Sequence, residues 1–315
     1  MFALVSKAQQ VPNPSLVGYW QNWNDAACPY INLDASYGSY NVIEVSFAVP
    51  TSATNLTMKF TPTFETQSAF ITRIKNLQSQ GKKVLISLGG ANDPVTIDTK
   101  VKMNAFVSSM NTMISNYGFD GLDIDFETTS LVLTGGSIAS PKDSSIIYCI
   151  AGVRKIMENY RKTNGNKKLL LTMAPETAYV QGGMSNWGLV NGISWGAYLP
   201  VIEALRDSID ILQVQLYNSG SMFGIDGKVI AEYGIGTGDD SLRTEYLRTG
   251  LNITHDAIQR GIDIRGFFHW TAVDNYEWLH GFDLQFGIVS TDRSIKPSAK
   301  LLQRETQHPL STVTS

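Results

Sequence analysis

Asp123, Asp125 and Glu127 stand two residues apart in the run Phe119-Asp120-Gly121-Leu122-Asp123-Ile124-Asp125-Phe126-Glu127. In an extended strand these three acids project to one face, while Leu122, Ile124 and Phe126 project to the other. Carboxyls gathered in a folded interior must share protons and hydrogen bonds, and their crowding raises the pKa of at least one of them. A carboxyl held in this way stays protonated near neutral pH and can serve as a general acid. A solvated acidic edge strand is the competing reading, but it has no need of large apolar residues at every alternate position. A strand covered by helices does need them. The spacing therefore points to acid chemistry at Glu127, with Asp125 and Asp123 behind it, and leaves Asp120, of opposite parity, to a structural role.

The elements that must position these acids alternate along the chain. Short β-rich runs are expected at 16–20, 41–49, 83–88, 168–173 and 209–217, with the acidic run as the fourth strand. Helical patterns are expected at 67–80, 100–117, 145–162 and 195–206. Such alternation builds a parallel sheet with covering helices, and 315 residues suit one eight-stranded α/β barrel, a (β/α)8 TIM barrel occupying the whole chain as a single domain. In that architecture chemistry gathers where strands end, at the C-terminal face. Met173-Ala174-Pro175-Glu176 closes the fifth strand and Gln215-Leu216-Tyr217-Asn218 the sixth. Gln215 and Tyr217 share a face, so amide and phenol point together; taken alone, each is equally well an ordinary buried hydrogen bonder.

Composition excludes several function classes. With 43% apolar and 17% charged residues the chain has ample core, and a net charge of -3 offers no basic footprint for nucleic acid. No apolar run reaches the length of a membrane span. Residues 1–16 lack the basic start, apolar stretch and small-residue cleavage site of a secretory leader, as would a mature secreted enzyme produced recombinantly without one. Cys28 and Cys149 lie far apart in sequence and suggest no disulfide framework. The four histidines, at 255, 269, 280 and 308, show no metal spacing, so neither a metal nor a cofactor is expected.

The acidic run resembles the D-x-x-D-x-D-x-E signature of glycoside hydrolase family 18, the chitinases and their relatives, with all four acids present. Ser87-Leu88-Gly89-Gly90 resembles the S-x-G-G at the end of that family's third barrel strand. The resemblance covers residues 16–227 and implies a monomeric, extracellular retaining glycosidase acting on β-1,4-linked N-acetylglucosamine polymers. Glu127 would protonate the glycosidic oxygen, and the substrate's own N-acetyl oxygen would be the nucleophile, since this family is a substrate-assisted exception to the two-carboxylate rule. Asp125 and Tyr217 would orient the acetamido group, and Asp123 would share a proton with Asp125. Tyr19, Met173, Gln215, Asn218 and Trp270 would line the sugar site.

The last quarter departs from that pattern. Val229-Ile230-Ala231-Glu232-Tyr233-Gly234, and later Trp270-Thr271-Ala272-Val273-Asp274-Asn275-Tyr276-Glu277-Trp278, resemble the T-E-N-G and W-S-L-x-D-N-x-E-W motifs of glycoside hydrolase family 1, the β-glucosidases and β-galactosidases. The resemblance, over about 229–305, implies a chimera, recombined or engineered, with a junction near 226–230. Strands one to six would be chitinase-like and strands seven and eight β-glycosidase-like. Glu232 then matches the family 1 nucleophile, although Ala231 and Tyr233 stand where threonine and asparagine are usual. Glu277 and Trp278 match residues that grip sugar hydroxyls. A hybrid glycosidase using Glu127 and Glu232, and a folded but inactive carbohydrate-binding scaffold, are the competing expectations.

Overall fold

The computed structural model describes residues 11–12, 15–24, 29–35, 40–180, 196–215, 222–223, 229–230, 240–260, 274 and 285–307. Tyr217, Asn218, Glu232, Trp270, Glu277 and Trp278, all expected at the site, lie outside the described residues. The chain falls into two compact units, residues 1–183 with 188–215, and residues 184–187 with 216–315.

The first unit opens with β1 (Val17–Gln21), β2 (Val42–Pro50) and the short β3 (Met58–Lys59). Helix α1 (Gln67–Ser79) leads to β4 (Lys83–Gly89), and α2 (Lys100–Tyr117) leads to β5 (Gly121–Asp125). A small hairpin, β6 (Gly136–Ser137) with β7 (Ser140–Pro141), precedes α3 (Ser144–Thr163) and β8 (Leu170–Met173). The unit closes with α4 (Thr177–Val180), α5 (Leu199–Leu205) and β9 (Ile211–Leu212). Six strands pair in parallel in the order β1-β2-β4-β5-β8-β9, and β3 pairs antiparallel with β2 beyond this path. The alternation expected from sequence is therefore present over these six strands. The sixth is shorter than the expected 209–217: only Ile211 and Leu212 form the ladder with β8, followed by a single bridge between Glu176 and Gln215.

Register divides the side chains of this sheet into two sets. Ile43, Val45, Val84, Ile86, Leu88, Leu122, Ile124, Leu171 and Met173 are buried and share one parity. Phe70 and Ile74 of α1, Phe106 and Met110 of α2, and Ile146 and Val153 of α3 supply further buried apolar surface. The opposite parity is apolar at one end, where Val42, Leu85 and Leu170 cluster; Glu44 enters at the level of Leu85, and Ser87, Asp123, Asp125 and Thr172 continue the polar side beyond it.

Local signals set the helix boundaries. The Thr66 hydroxyl accepts from Ala69 N–H at the start of α1, and the Thr99 hydroxyl accepts from Lys102 N–H at the start of α2. Gly118 ends α2 in the left-handed region at φ 77°, donating its N–H to Ile114 O, so the chain turns at once into β5. Cys149, buried on α3, has its thiol pushed up to about 12 by burial, as expected of a packing residue.

In the second unit β10 (Met222–Phe223) pairs antiparallel with β11 (Val229–Ile230). Val229 and Ile230 open the run that resembles the seventh-strand motif of family 1, and the pairing described for these two residues is antiparallel, not the parallel pairing of a barrel strand. Helices α6 (Asp240–Gln259) and α7 (Pro297–Gln307) pack together. Asp240 caps α7 by accepting from the Ser298 N–H and hydroxyl, both at 2.7 Å. Asp274, drawn from the family 1-like motif, is buried and pairs with Lys296 Nζ at 2.7 Å while accepting from Gly287 N–H at 2.7 Å. Those bonds account for Asp274 as a structural residue. No described helix is long and apolar enough to cross a membrane.

Candidate active site

Strand β5 lies between β4 and β8, with Asp123 opposite Ser87 and Thr172, and Asp125 opposite Gly89. The S-x-G-G run of β4 gives way to this acid strand. Gly89 and Gly90 have φ of 98° and 81°, and a Cβ on Gly89 would stand 2.7 Å from the Asp125 carbonyl oxygen. Gly90 N–H donates to that same oxygen at 2.8 Å. Only glycine permits this approach without strain.

Asp123 is fully buried and well supplied with donors. Tyr19 Oη donates to its Oδ2 at 2.8 Å, Ser87 Oγ donates to Oδ2 at 2.7 Å, and Thr172 Oγ1 lies 2.7 Å from Oδ1. Asp125 is 5% exposed and accepts from Gln215 Nε2 at 2.8 Å. Glu127, just past the strand end, is half-buried, and the same Gln215 nitrogen lies 3.1 Å from its Oε1. Accessibility thus rises along the ladder, from Asp123 to Asp125 to Glu127.

Burial pushes the pKa of all three carboxyls up. The rise is largest at Asp125, where the charges of Glu127, Asp123 and Glu44 add to burial and a hydrogen bond to Glu127 favours the protonated form. Glu127 rises through burial, opposed by hydrogen bonds from Gln215 and Asp125. Glu176, at the end of β8, is pushed up to about 7 by burial and by the nearby Glu127. Among the described residues no lysine or arginine forms an ion pair with these carboxyls, so protons and neutral donors must do the compensating.

Two tyrosines that sequence reasoning did not single out hold the acid-bearing turn. Tyr198, fully buried just before α5, accepts from Phe126 N–H at 2.8 Å, and its hydroxyl lies 3.0 Å from Phe126 O. Tyr179 stacks on it with ring centroids 6.2 Å apart and donates to Thr128 O at 2.8 Å. Both clamp the backbone on either side of Glu127, and no local motif marks them.

Glycosyl hydrolases family 18 matches residues 15–251. The chain belongs to family 18. Chitinase D of Niallia circulans is 44% identical over 250 residues, 77% of this family 18 chain and 45% of that protein. Chitinase Chi52 of Paenibacillus xylanexedens is 43% identical over 255 residues, 79% of this chain and 46% of that one. The family 18 chain therefore spans about half the length of the curated relatives it matches. A family GH18 chitinase from Chromobacterium violaceum, known from its crystal structure, superimposes with a TM-score of 0.58 and 34% identity, over 70% of this chain and 55% of that one. The family 18 match runs through 226–230, where a junction was expected, and ends at 251. Residues 229–251 are thus part of the family 18 assignment, and the comparisons supply no family 1 component.

Of the residues expected at the site, the family 18 chain brings Tyr19 to Asp123 and Gln215 to both Asp125 and Glu127, two hydrogen-bonded sets side by side along β5. Tyr19 is bound to Asp123, which makes it a support for the acids. Met173 is not brought in. It pairs with Ile124, is fully buried, and shares the parity of the apolar set, one residue out of register with Thr172, which does face Asp123. Reading the strand from its closing Met-Ala-Pro-Glu run drew attention to the wrong neighbour. Glu44 and Thr172 were missed altogether. The one signal for Glu44 was an acid alone among Val42, Ile43 and Val45 in an apolar strand.

Proposed function

We propose that this chain is a retaining chitinase working by substrate-assisted catalysis. The observation that supports this most directly is the graded burial of the β5 acids: only Glu127 is open enough to meet a glycosidic oxygen, while Asp125 keeps a 5% edge and Asp123 none. A single accessible acid suits a reaction whose nucleophile comes from the substrate. Glu127, its pKa raised by burial, begins protonated and gives its proton to the leaving oxygen. The N-acetyl carbonyl oxygen attacks the anomeric carbon as the glycosidic bond breaks, forming an oxazolinium. Asp125 releases its hydrogen bond to Glu127, keeps its proton and turns its carbonyl oxygen to accept from the acetamido N–H, a bond that strengthens as positive charge builds on the oxazolinium. Water then attacks the anomeric carbon and returns its proton to Glu127, so that configuration is retained and the enzyme is restored. Tyr217, Asn218 and Trp270 are assigned the acetamido and sugar-face contacts. Action on chitin or chitooligosaccharides outside the cell, by a monomer, follows from the same reading.

Hydrolysis of fluorogenic chitobiose and chitotriose glycosides, with the β-glucoside and β-galactoside alongside, tests it. Cleavage of the N-acetylated substrates alone, with the β-anomer formed first, is expected. Glu127→Gln should lower the rate by about 10² to 10⁴. Cleavage of the glucoside that is lost in both Glu127→Gln and Glu232→Gln would instead favour the hybrid reading, whose support is the set of family 1-like residues Trp270, Glu277 and Trp278 beyond residue 251. A folded protein that cleaves nothing would leave a carbohydrate-binding scaffold.

A further inference from the structure

Glu44 projects from β2 into the polar column of the sheet, fully buried. At its own level register places Leu85, Gly121 and Leu170, so it stands on an apolar floor and can find partners only above it. Thr172 Oγ1 lies 2.9 Å from Glu44 Oε1 and 2.7 Å from Asp123 Oδ1, and Gln213 Nε2 donates to Glu44 Oε1 at 2.7 Å. Among the described residues Glu44 Oε2 is buried without a hydrogen-bond partner of ordinary length and angle; the Tyr19 hydroxyl also interacts with Glu44, but its one proton goes to Asp123. Tyr19 faces Glu44 from β1, Asp123 and Asp125 face it from β5, and the described residues present no cation to it.

Proton counting decides the state of this cluster. The Thr172 hydroxyl has one proton and touches two carboxyl oxygens, so both contacts are hydrogen bonds only if one carboxyl is protonated and donates to Oγ1. Asp123 already receives the Tyr19 and Ser87 hydroxyls. Ionised, it is satisfied by three donors. Glu44, if ionised, would carry charge with one oxygen bare in the interior, the costlier arrangement. Burial, reinforced by the charge of Asp123, also pushes the Glu44 pKa well up.

We infer that Glu44 is a neutral positioning residue, donating to Thr172 so that Thr172 donates to Asp123 and holds Asp123 ionised beneath Asp125. The inference deepens the chitinase reading and rests on it for its kinetic consequence. With Glu44 protonated and Asp123 ionised, Asp125 keeps a fixed anion below it, which favours its own proton. Glu44 and Asp125 are then neutral and Asp123 carries the charge between them, with no cation among the described residues facing the group.

The pH profile of kcat/KM on chitotriose tests the direction of the effect. Glu44→Leu removes the donor, weakens the Thr172 bond to Asp123 and raises the pH needed to ionise it. The acid limb should move to higher pH, with activity just above the wild-type limb about tenfold lower, as for one lost hydrogen bond to a charged group. Glu44→Gln supplies a neutral donor of the same shape and should restore the limb. Should Glu44→Leu fail to fold, Thr172→Val breaks the same link and should shift the limb the same way. Had Glu44 been ionised, removing its charge in Glu44→Gln would ease ionisation of Asp123 and Asp125 and move the limb to lower pH, overturning the inference. Infrared spectroscopy at neutral pH reads the same question without activity: the difference spectrum of wild type minus Glu44→Gln should contain a protonated-carboxyl C=O stretch, and a carboxylate stretch in its place would also overturn the inference. A wild type that cleaves no chitooligosaccharide but shows this band would sink the chitinase reading and leave the Glu44 assignment standing.

Discussion

Gln215 reaches across from beyond β9 to place its amide nitrogen 2.8 Å from Asp125 Oδ1. The same nitrogen is 3.1 Å from Glu127 Oε1 and 3.0 Å from Ala174 O, so one neutral donor ties Glu127, the proposed general acid, to Asp125 behind it. Gln215→Leu should cost about 10- to 100-fold in kcat/KM, the usual loss for a hydrogen bond to a charged group. The Gln215 bond lowers the Glu127 pKa, so its removal lets Glu127 keep its proton to higher pH. The basic limb of the pH profile should move up, and a downward shift in steady-state assays would contradict the geometry.

Gly121 is required by packing. A Cβ there would meet Leu170 O at 2.5 Å and Leu85 Cγ at 2.9 Å, both in the floor under Glu44. Gly121→Ala should therefore destabilise the chain by about 1 to 3 kcal/mol, as overpacked cores do. A lowered urea midpoint at unchanged m-value is the expected readout.

Tyr198→Phe deletes a buried hydroxyl and little else. It leaves Phe126 N–H without its 2.8 Å partner, at a cost of about 1 to 3 kcal/mol for an unsatisfied buried group. Because Phe126 carries Glu127 on its next bond, kcat should fall more than substrate affinity changes, a split that kinetics together with chitooligosaccharide binding to an inactive Glu127→Gln background can resolve.

Glu176 makes stability depend on pH. Its folded-state pKa of about 7 lies above the ordinary 4.5, so between these values the native state holds a proton that the unfolded chain has released. Stability then falls as pH rises through that window. Replacing it in Glu176→Gln removes the loss, which is on the order of 3 kcal/mol above the window. Urea unfolding at pH 4 and pH 8 should show the variant gaining on the wild type only at pH 8; an equal difference at both pH values would exclude a proton-linked origin.

Much of the acid ladder was legible in sequence, because a strand's two-residue repeat is local: Asp123, Asp125 and Glu127 had to share a side whatever the rest of the chain did. The strand and helix alternation to residue 215 was legible for the same reason, as were the starts of α1 and α2 at Gln67 and Lys100. Where local pattern and long-range register had to agree, the reading slipped, as at Met173, where a shift of one residue moves a side chain to the other face. It slipped again at Val229 and Ile230, which pair antiparallel with Met222 and Phe223.

The sequence alone determined which acids stand together and that their strand is covered, since alternation and apolar neighbours are properties of a single segment. Only the tertiary structure decided what surrounds them. Glu44 and Thr172 are 128 residues apart, Tyr19 and Asp123 are 104, and Tyr198 and Phe126 are 72. Strand order and register bring these pairs within bonding distance, and neither is written in the periodicity of any one strand. The proton arrangement of the site depends on those contacts, because burial and partner supply, set by the whole sheet, govern which carboxyl is charged.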